Sequence, residues 1–157
     1  MNTLVGDIWD YWDKGYDIVV PVNIGWRRDG SNVMGAGVAR QAAARFPRLS
    51  DTLGTYHQLM RERSRPLPYA PIGTAQIIWC LPVKPLNQDA PWLSWKSEAS
   101  VPLIESSLQE LASAVEPGAR VALPLVGCGN GGLSRDQVYP VLSQILDRRF
   151  TLVELEA

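Results

Sequence analysis

The sequence predicts an α/β fold, a three-layer α/β/α sandwich around a central mixed, mostly parallel sheet. Three observations predict it. Residues 17–22 (DIVVPV) and 120–124 (RVALP) are short apolar runs with the unbroken hydrophobicity of strands buried on both faces. The stretches between such runs carry apolar residues at helical spacing, so strands and helices alternate as they do when parallel strands are joined by crossover helices. The length of 157 residues, 46% hydrophobic and 20% charged, suits one domain spanning residues 1–157 with a core of its own.

Each element has a local reason. The first strand, residues 17–22, ends at Asn23. A glycine-containing loop follows, and residues 33–46 turn helical after their glycines, with Val38, Ala39, Ala42, Ala43 and Phe46 on one face and Pro47 as the stop. A second helix is expected from Leu49 to about Arg63. Residues 75–81 (AQIIWCL) are rich in β-branched and aromatic side chains and bounded by Gly73 and Pro82, which predicts a strand. Residues 84–96 read as loop because Pro85 and Pro91 interrupt regular structure. Leu103, Leu108, Leu111 and Val115 mark a helix from about Val101, closed by Pro117-Gly118. After the strand at 120–124, residues 125–133 form a glycine loop. Ser134 and Gln137 have the spacing of a capping box, and the helix they open runs to about Arg148, with Pro140 predicting a kink or a later start. Residues 150–155 are the last strand.

Composition removes several function classes. Two cysteines and one histidine do not make a zinc site or a disulfide framework, so no metal is expected and both thiols are expected to be free. No apolar run reaches the roughly 18 residues of a membrane span, and the acidic first 17 residues are unlike a signal peptide, so a cytoplasmic protein is expected. A net charge of -1 speaks against binding nucleic acid by bulk charge. Charge is uneven, however: residues 26–65 hold eight arginines, among them Arg27, Arg28, Arg40 and Arg45, against three acids. A solvated helical face accounts for such a segment, and contact with phosphates is the competing reading.

Three segments carry chemistry. Gly35-Ala36-Gly37 opens a helix, where free backbone amides and the helix dipole favour an anion, although tight packing also explains glycines there. Residues 127–133 (GCGNGGL) place four glycines within six residues between a buried strand and a capped helix, a loop of unobstructed amides of the kind that wraps phosphate oxygens. Cys128 inside it lacks a base and reads as a packed side chain. Asp7, after Gly6 and before Ile8, can accept an exocyclic amine such as adenine's, or can simply cap a helix.

Together, Gly6-Asp7-Ile8, Val22-Asn23, Met34-Gly35-Ala36-Gly37-Val38-Ala39 and the GCGNGGL loop resemble the macrodomains, ADP-ribose-binding α/β/α proteins, across almost the whole chain. The motif versions are most similar to the branch of DarG-type DNA ADP-ribosyl glycohydrolase antitoxins and terminal ADP-ribose glycohydrolase. The resemblance implies that Asp7 takes the adenine amine and Ile8 the adenine edge. It implies that Gly127, Cys128, Gly129, Asn130, Gly131, Gly132 and Leu133 wrap the diphosphate, and that Asn23, Gly35, Gly37 and Val38 hold the distal ribose. Lys84, in LPVK after a strand, resembles the branch's catalytic lysine, with Trp92 and Trp95 as an apolar wall. The chain departs from the family in three places. Gly131 stands where one branch member has an acid, residues 23–34 form a longer segment in which Asn32 competes for part of Asn23's role, and no second asparagine follows Asn23. The expected activity is release of ADP-ribose from a nucleic acid or protein in a toxin-antitoxin setting, by a monomer with no metal or consumed cofactor. A non-catalytic reader module and an ADP-ribose 1''-phosphate phosphatase are the alternatives.

Overall fold

The computed structural model describes residues 1–156. Six strands form one sheet in the order β1-β6-β5-β2-β4-β3, with β1 Asn2–Val5, β2 Asp17–Asn23, β3 Leu67–Tyr69, β4 Ile78–Lys84, β5 Val121–Leu123 and β6 Phe150–Glu154. All pairings are parallel except β3 with β4, so the sheet is mixed and mostly parallel. Five helices cover it: α1 Ile8–Asp13, α2 Gly37–Arg45, α3 Leu49–Met60, α4 Val101–Ala114 and α5 Arg135–Ile145. One core cluster joins Ile18, Val20 and Ile78 to Trp9, Ala42, Leu49 and Leu53 from α1, α2 and α3. The opposite cluster joins Val19, Leu81 and Leu123 to Ile104, Leu108, Val138 and Leu142 from α4 and α5. Alternate residues of β2 thus serve opposite layers, the reason its run is apolar throughout.

Several boundaries differ from expectation, each for a physical reason. The strand expected at residues 75–81 runs instead from Ile78 to Lys84. Residues 75–77 are held by side chains: Gln76 Nε2 donates to the carbonyls of Trp12 and Tyr16, both at 2.7 Å, and the Ile77 amide donates to Asp17 Oδ1. Pro82 does not end β4 because β3 pairs no farther than Cys80, leaving no ladder partner on that side to lose. Lys84 is therefore the last residue of a strand rather than part of a loop, and residues Pro91–Lys96, expected as loop, form a 3-10 turn. The helix after Ser134 has its capping box but stops at Ile145, with Pro140 inside and no later start. The helix α3 ends at Met60, and Arg61–Arg63 turns as 3-10. Two edge strands, β1 and β3, were not expected at all.

The five parallel strands all point their carboxyl ends at one edge of the sheet. After β2 the chain moves toward β3 and β4, whereas after β5 it moves toward β6, so the switch in direction falls between β2 and β5. In open α/β sheets ligands bind outside the carboxyl ends at such a point.

Candidate functional site at the carboxyl edge

Along this edge, in strand order, lie Gly6-Asp7 after β1, Glu154 at the end of β6, residues 125–133 after β5, Asn23 at the end of β2 and Lys84 at the end of β4. At about 4.8 Å between neighbouring strands, the row from β1 to β4 spans about 19 Å. That length suits an elongated ligand rather than a lone phosphate.

At one end, Asp7 is exposed and caps α1, its Oδ1 accepting the Trp9 amide at 2.9 Å. Both expected roles are compatible, because a carboxylate has a second oxygen to offer. The Ile8 side chain is buried in the core at 5% exposure, so only its backbone faces the edge. The Gly6 amide bonds the Glu154 carbonyl at 2.8 Å, which fixes this turn to β6.

In the middle, Gly127, Gly129 and Gly132 have φ of 79°, 67° and 80°. A Cβ at Gly127 would lie 2.6 Å from Ile104 Cδ1, so this glycine is needed for packing as well as for its conformation. Around Gly129 a Cβ would meet nothing within 4 Å, so that side of the loop is open. The amides of Gly132 and Leu133 turn inward to Gly129 and Gly127 carbonyls, and Gly131 O accepts the Ala99 amide at 2.8 Å. The amides of Cys128 and Asn130 find no protein acceptor among the described residues. Burial and the Glu154 carboxylate push the Cys128 thiol up, so it is a poor nucleophile. Glu154 is itself held by Arg135 across 2.9 Å.

After β2 and its long loop, α2 begins at Gly37 (φ 56°) behind Ala36, which gives no side-chain cap. Its first amides are therefore unpaired in the helix, and Gly35, Ala36 and Gly37 are exposed. Val38 is half-buried against the α1 to α3 layer.

At the other end, Asn23 and Lys84 are direct partners across β2 and β4, beside an irregularity at Val22/Asn23. Lys84 Nζ donates to the Trp95 carbonyl at 2.7 Å, and partial burial lowers its pKa. The Trp95 main chain, rather than an indole wall, thus holds the ammonium. Trp92 and Trp95 remain 40% and 43% exposed. Asn23 is 5% exposed and works inside the protein: its Nδ2 donates to the Val33 carbonyl and its Oδ1 accepts the Gly25 amide.

Sequence reasoning gave Asn32 only a share of Asn23's role, but the structure makes it the clamp of the whole β2–α2 segment. Fully buried, it donates from Nδ2 to the carbonyls of Asn23 and Gly25 at 3.0 and 2.8 Å, while its Oδ1 has no partner among the described residues. The segment lies on α3 at Gly54, where a Cβ would come within 1.9 Å of Gly30 O. The asparagine and a glycine at mid-helix were the available signals. The arginines divide. Arg28 stacks over Trp92 at 5.3 Å near the Lys84 end, and Arg40 is exposed in the first turn of α2. Arg45 stacks over Trp9 at 4.2 Å, and Arg27 is exposed with its amide on the Ser31 carbonyl.

No protein-family model matches the chain, and no curated protein matches it by sequence. Solved structures do match. The macrodomain of Thermus aquaticus DarG superposes with a TM-score of 0.73 at 23% identity, covering 99% of this chain and 97% of that one. The Mycobacterium tuberculosis DarG macrodomain gives 0.66 at 22% identity over 90% and 88% of the two chains. Thermosipho africanus DarTG, solved in complex with ADP-ribose, gives 0.72 at 22% identity over 99% of this chain and 42% of that one. With the sheet order, the two helical layers and the near-complete coverage, these likenesses show that the chain has the macrodomain fold.

Proposed function

We infer that the carboxyl-edge cleft binds ADP-ribose and that the protein removes it from a macromolecule, with Lys84 as the reacting side chain. The placement of Lys84 carries the reading. It stands beside Asn23 at the far end of a row that begins at Asp7 and has the glycine loop in its middle. A nucleoside diphosphate sugar laid along that row puts adenine at Asp7 and Ile8. Its diphosphate lies between residues 127–133 and the start of α2, and its distal ribose reaches Gly35, Gly37, Val38 and Lys84, while the buried Asn23 holds the loop behind them. The solved complex of a protein with this fold and ADP-ribose supports the ligand.

The chemistry needs little more. The anomeric carbon is already activated by its ring oxygen, and the free amides of Cys128 and Asn130 and of the α2 start neutralise the diphosphate. The bond from C1'' to the carrier breaks, the carrier leaves with a proton, and water supplies the hydroxyl of free ADP-ribose. Partial desolvation favours the neutral amine of Lys84, the form that attacks carbon or accepts a proton. The carrier is a nucleic acid, supported by Arg28 and Arg40 near the site; Arg27 and Arg45 serve it less directly.

A reader module is the second reading, favoured by the bond that ties the Lys84 ammonium to Trp95. The phosphatase alternative draws no support from His57, which is fully buried in α3 with Nδ1 on Ser64 Oγ. The test is release of ADP-ribose from modified DNA, modified protein and the 1''-phosphate by wild type and Lys84→Ala. Loss of about 100-fold or more in rate, with ADP-ribose affinity within a few-fold, is expected. Full activity of the variant would remove Lys84 from the mechanism, and no turnover by wild type would favour the reader.

A further inference from the structure

Arg61 is the one non-glycine residue with positive φ among the described residues, at φ 51° and ψ -127°. Any side chain is strained there. Three hydrogen bonds hold it. The Arg61 amide donates to the His57 carbonyl, and the Arg61 carbonyl accepts both the Ser64 hydroxyl at 2.7 Å and the Ser64 amide at 3.1 Å. Because that hydroxyl proton is committed to Arg61, His57 Nδ1, 2.8 Å from Ser64 Oγ, must be the donor. A fully buried histidine therefore locks the turn that carries the strain.

The guanidinium lies over the Trp26 ring at 5.4 Å, with its Nε 4.0 Å from Glu62 Oε2 in an exposed pair. Trp26 follows Gly25, whose Cβ would lie 2.2 Å from the Pro91 carbonyl and 2.6 Å from Ser94, so this loop is seated on the 3-10 turn Pro91–Lys96. Two residues before Trp26, the Ile24 amide donates to the Lys84 carbonyl at 3.1 Å. On the same pair of loops Arg28 stacks over Trp92 and Lys96 over Trp95, each at 5.3 Å. Three indoles, each with a cation on its face, thus adjoin the Lys84 end of the cleft.

We propose that Arg61, aimed onto Trp26 by its strained backbone, is a specificity-determining residue that grips the carrier of ADP-ribose, a single-stranded polynucleotide. The proposal rests on the reading of the cleft given above. Indole and guanidinium planes stack on any base, and the same arginines pair with phosphates, whereas a polypeptide offers neither at regular spacing. A guanidinium kept only for stability would not occupy a conformation that glycine adopts freely. The strain is understandable if the side chain is kept for what it binds.

The test compares Arg61→Gly, Arg61→Lys and Trp26→Ala, each in a Lys84→Ala background that prevents turnover. The readouts are Tm, calorimetry with free ADP-ribose, and fluorescence anisotropy with a labelled ten-nucleotide single strand, plain or carrying one ADP-ribose. Arg61→Gly is expected to raise Tm by about 2–4 °C, to weaken both strands about tenfold, and to leave free ADP-ribose within about twofold. Arg61→Lys should lose most of the strand affinity too, because the flat guanidinium is what stacks. Unchanged strand affinity or a lowered Tm in Arg61→Gly would overturn the proposal. So would an ADP-ribosylated peptide whose affinity falls as far as the strand's, which would make the carrier a polypeptide. Failure of ADP-ribose to bind at all, with plain-strand affinity still dependent on Arg61, would refute the cleft and leave Arg61's role standing.

Discussion

Replacing Gly54 with alanine separates helix propensity from tertiary contact. Alanine is the better helix former by about 1 kcal/mol, so α3 alone would gain. The new Cβ, however, would lie 1.9 Å from Gly30 O and 2.8 Å from the Asn32 amide, so one backbone must yield by more than about 1 Å. Overpacking of this kind costs about 1–3 kcal/mol. The displacement also stretches the bond from the Asn32 amide to the Ser50 carbonyl, now 2.8 Å, which is worth about 1 kcal/mol. The net loss is about 1–3 kcal/mol, or a fall in Tm of about 3–10 °C by thermal unfolding. Because Asn32 clamps the Asn23 and Gly25 carbonyls, ADP-ribose affinity should weaken several-fold in calorimetry although Gly54 is not expected to touch the ligand. A raised Tm with unchanged affinity would refute the reasoning, since it would mean that the segment does not rest on α3.

Other outcomes follow from the same geometry. Gly129→Glu and Gly129→Lys impose equal strain at φ 67° and place their side chains in open space, so both should fold with Tm lowered by a few degrees. Calorimetry should show ADP-ribose binding at least about tenfold weaker for Glu than for Lys if phosphate lies there; equal affinities would move the diphosphate elsewhere. Burial lowers the His57 pKa from 6.5 to about 3. Between those values the unfolded chain binds the proton and the folded chain does not, so stability should rise with pH from about 3 to 6.5 and level off above, by up to about 1.4 kcal/mol per pH unit. Urea unfolding across that range should show the slope in wild type and a shallower one in His57→Asn; identical slopes would contradict the neutral buried imidazole. If nucleic acid is the carrier, binding of a modified oligonucleotide should weaken with salt more steeply than binding of free ADP-ribose, and parallel salt dependences would argue for another carrier.

The parts legible in the sequence were those where one residue type has one physical meaning. DIVVPV predicted a strand buried on both faces, and Ser134 with Gln137 predicted a capping box, because neither pattern depends on distant partners. The glycines of residues 127–133 announced a loop of special backbone for the same reason, and three of them have positive φ. What was illegible depended on neighbours. The strand β1 is exposed along its whole length, so no alternation marks it. Pro68 hid β3, since a proline is tolerated only where a strand lies at the sheet edge, and the sequence does not say which strand that is. Pro82 reads as a boundary because the short reach of β3 is set by the sheet and not by the residues beside the proline. At the site, the Lys84 to Trp95 carbonyl bond and the clamp around Asn32 join residues 7 to 11 positions apart through the turn between them. Side-chain chemistry alone does not encode those turns.

ADP-ribose is proposed to lie in one elongated cleft, with adenine at Asp7 and the distal ribose at Lys84. A crystal structure of the protein soaked with ADP-ribose tests it most directly. The diphosphate is expected against residues 127–133 and the start of α2, with C1'' within about 3.5 Å of Lys84 Nζ and the Trp95 carbonyl released or shared. A ligand bound in the reverse direction, or one whose distal ribose lies beyond reach of Lys84, would contradict it.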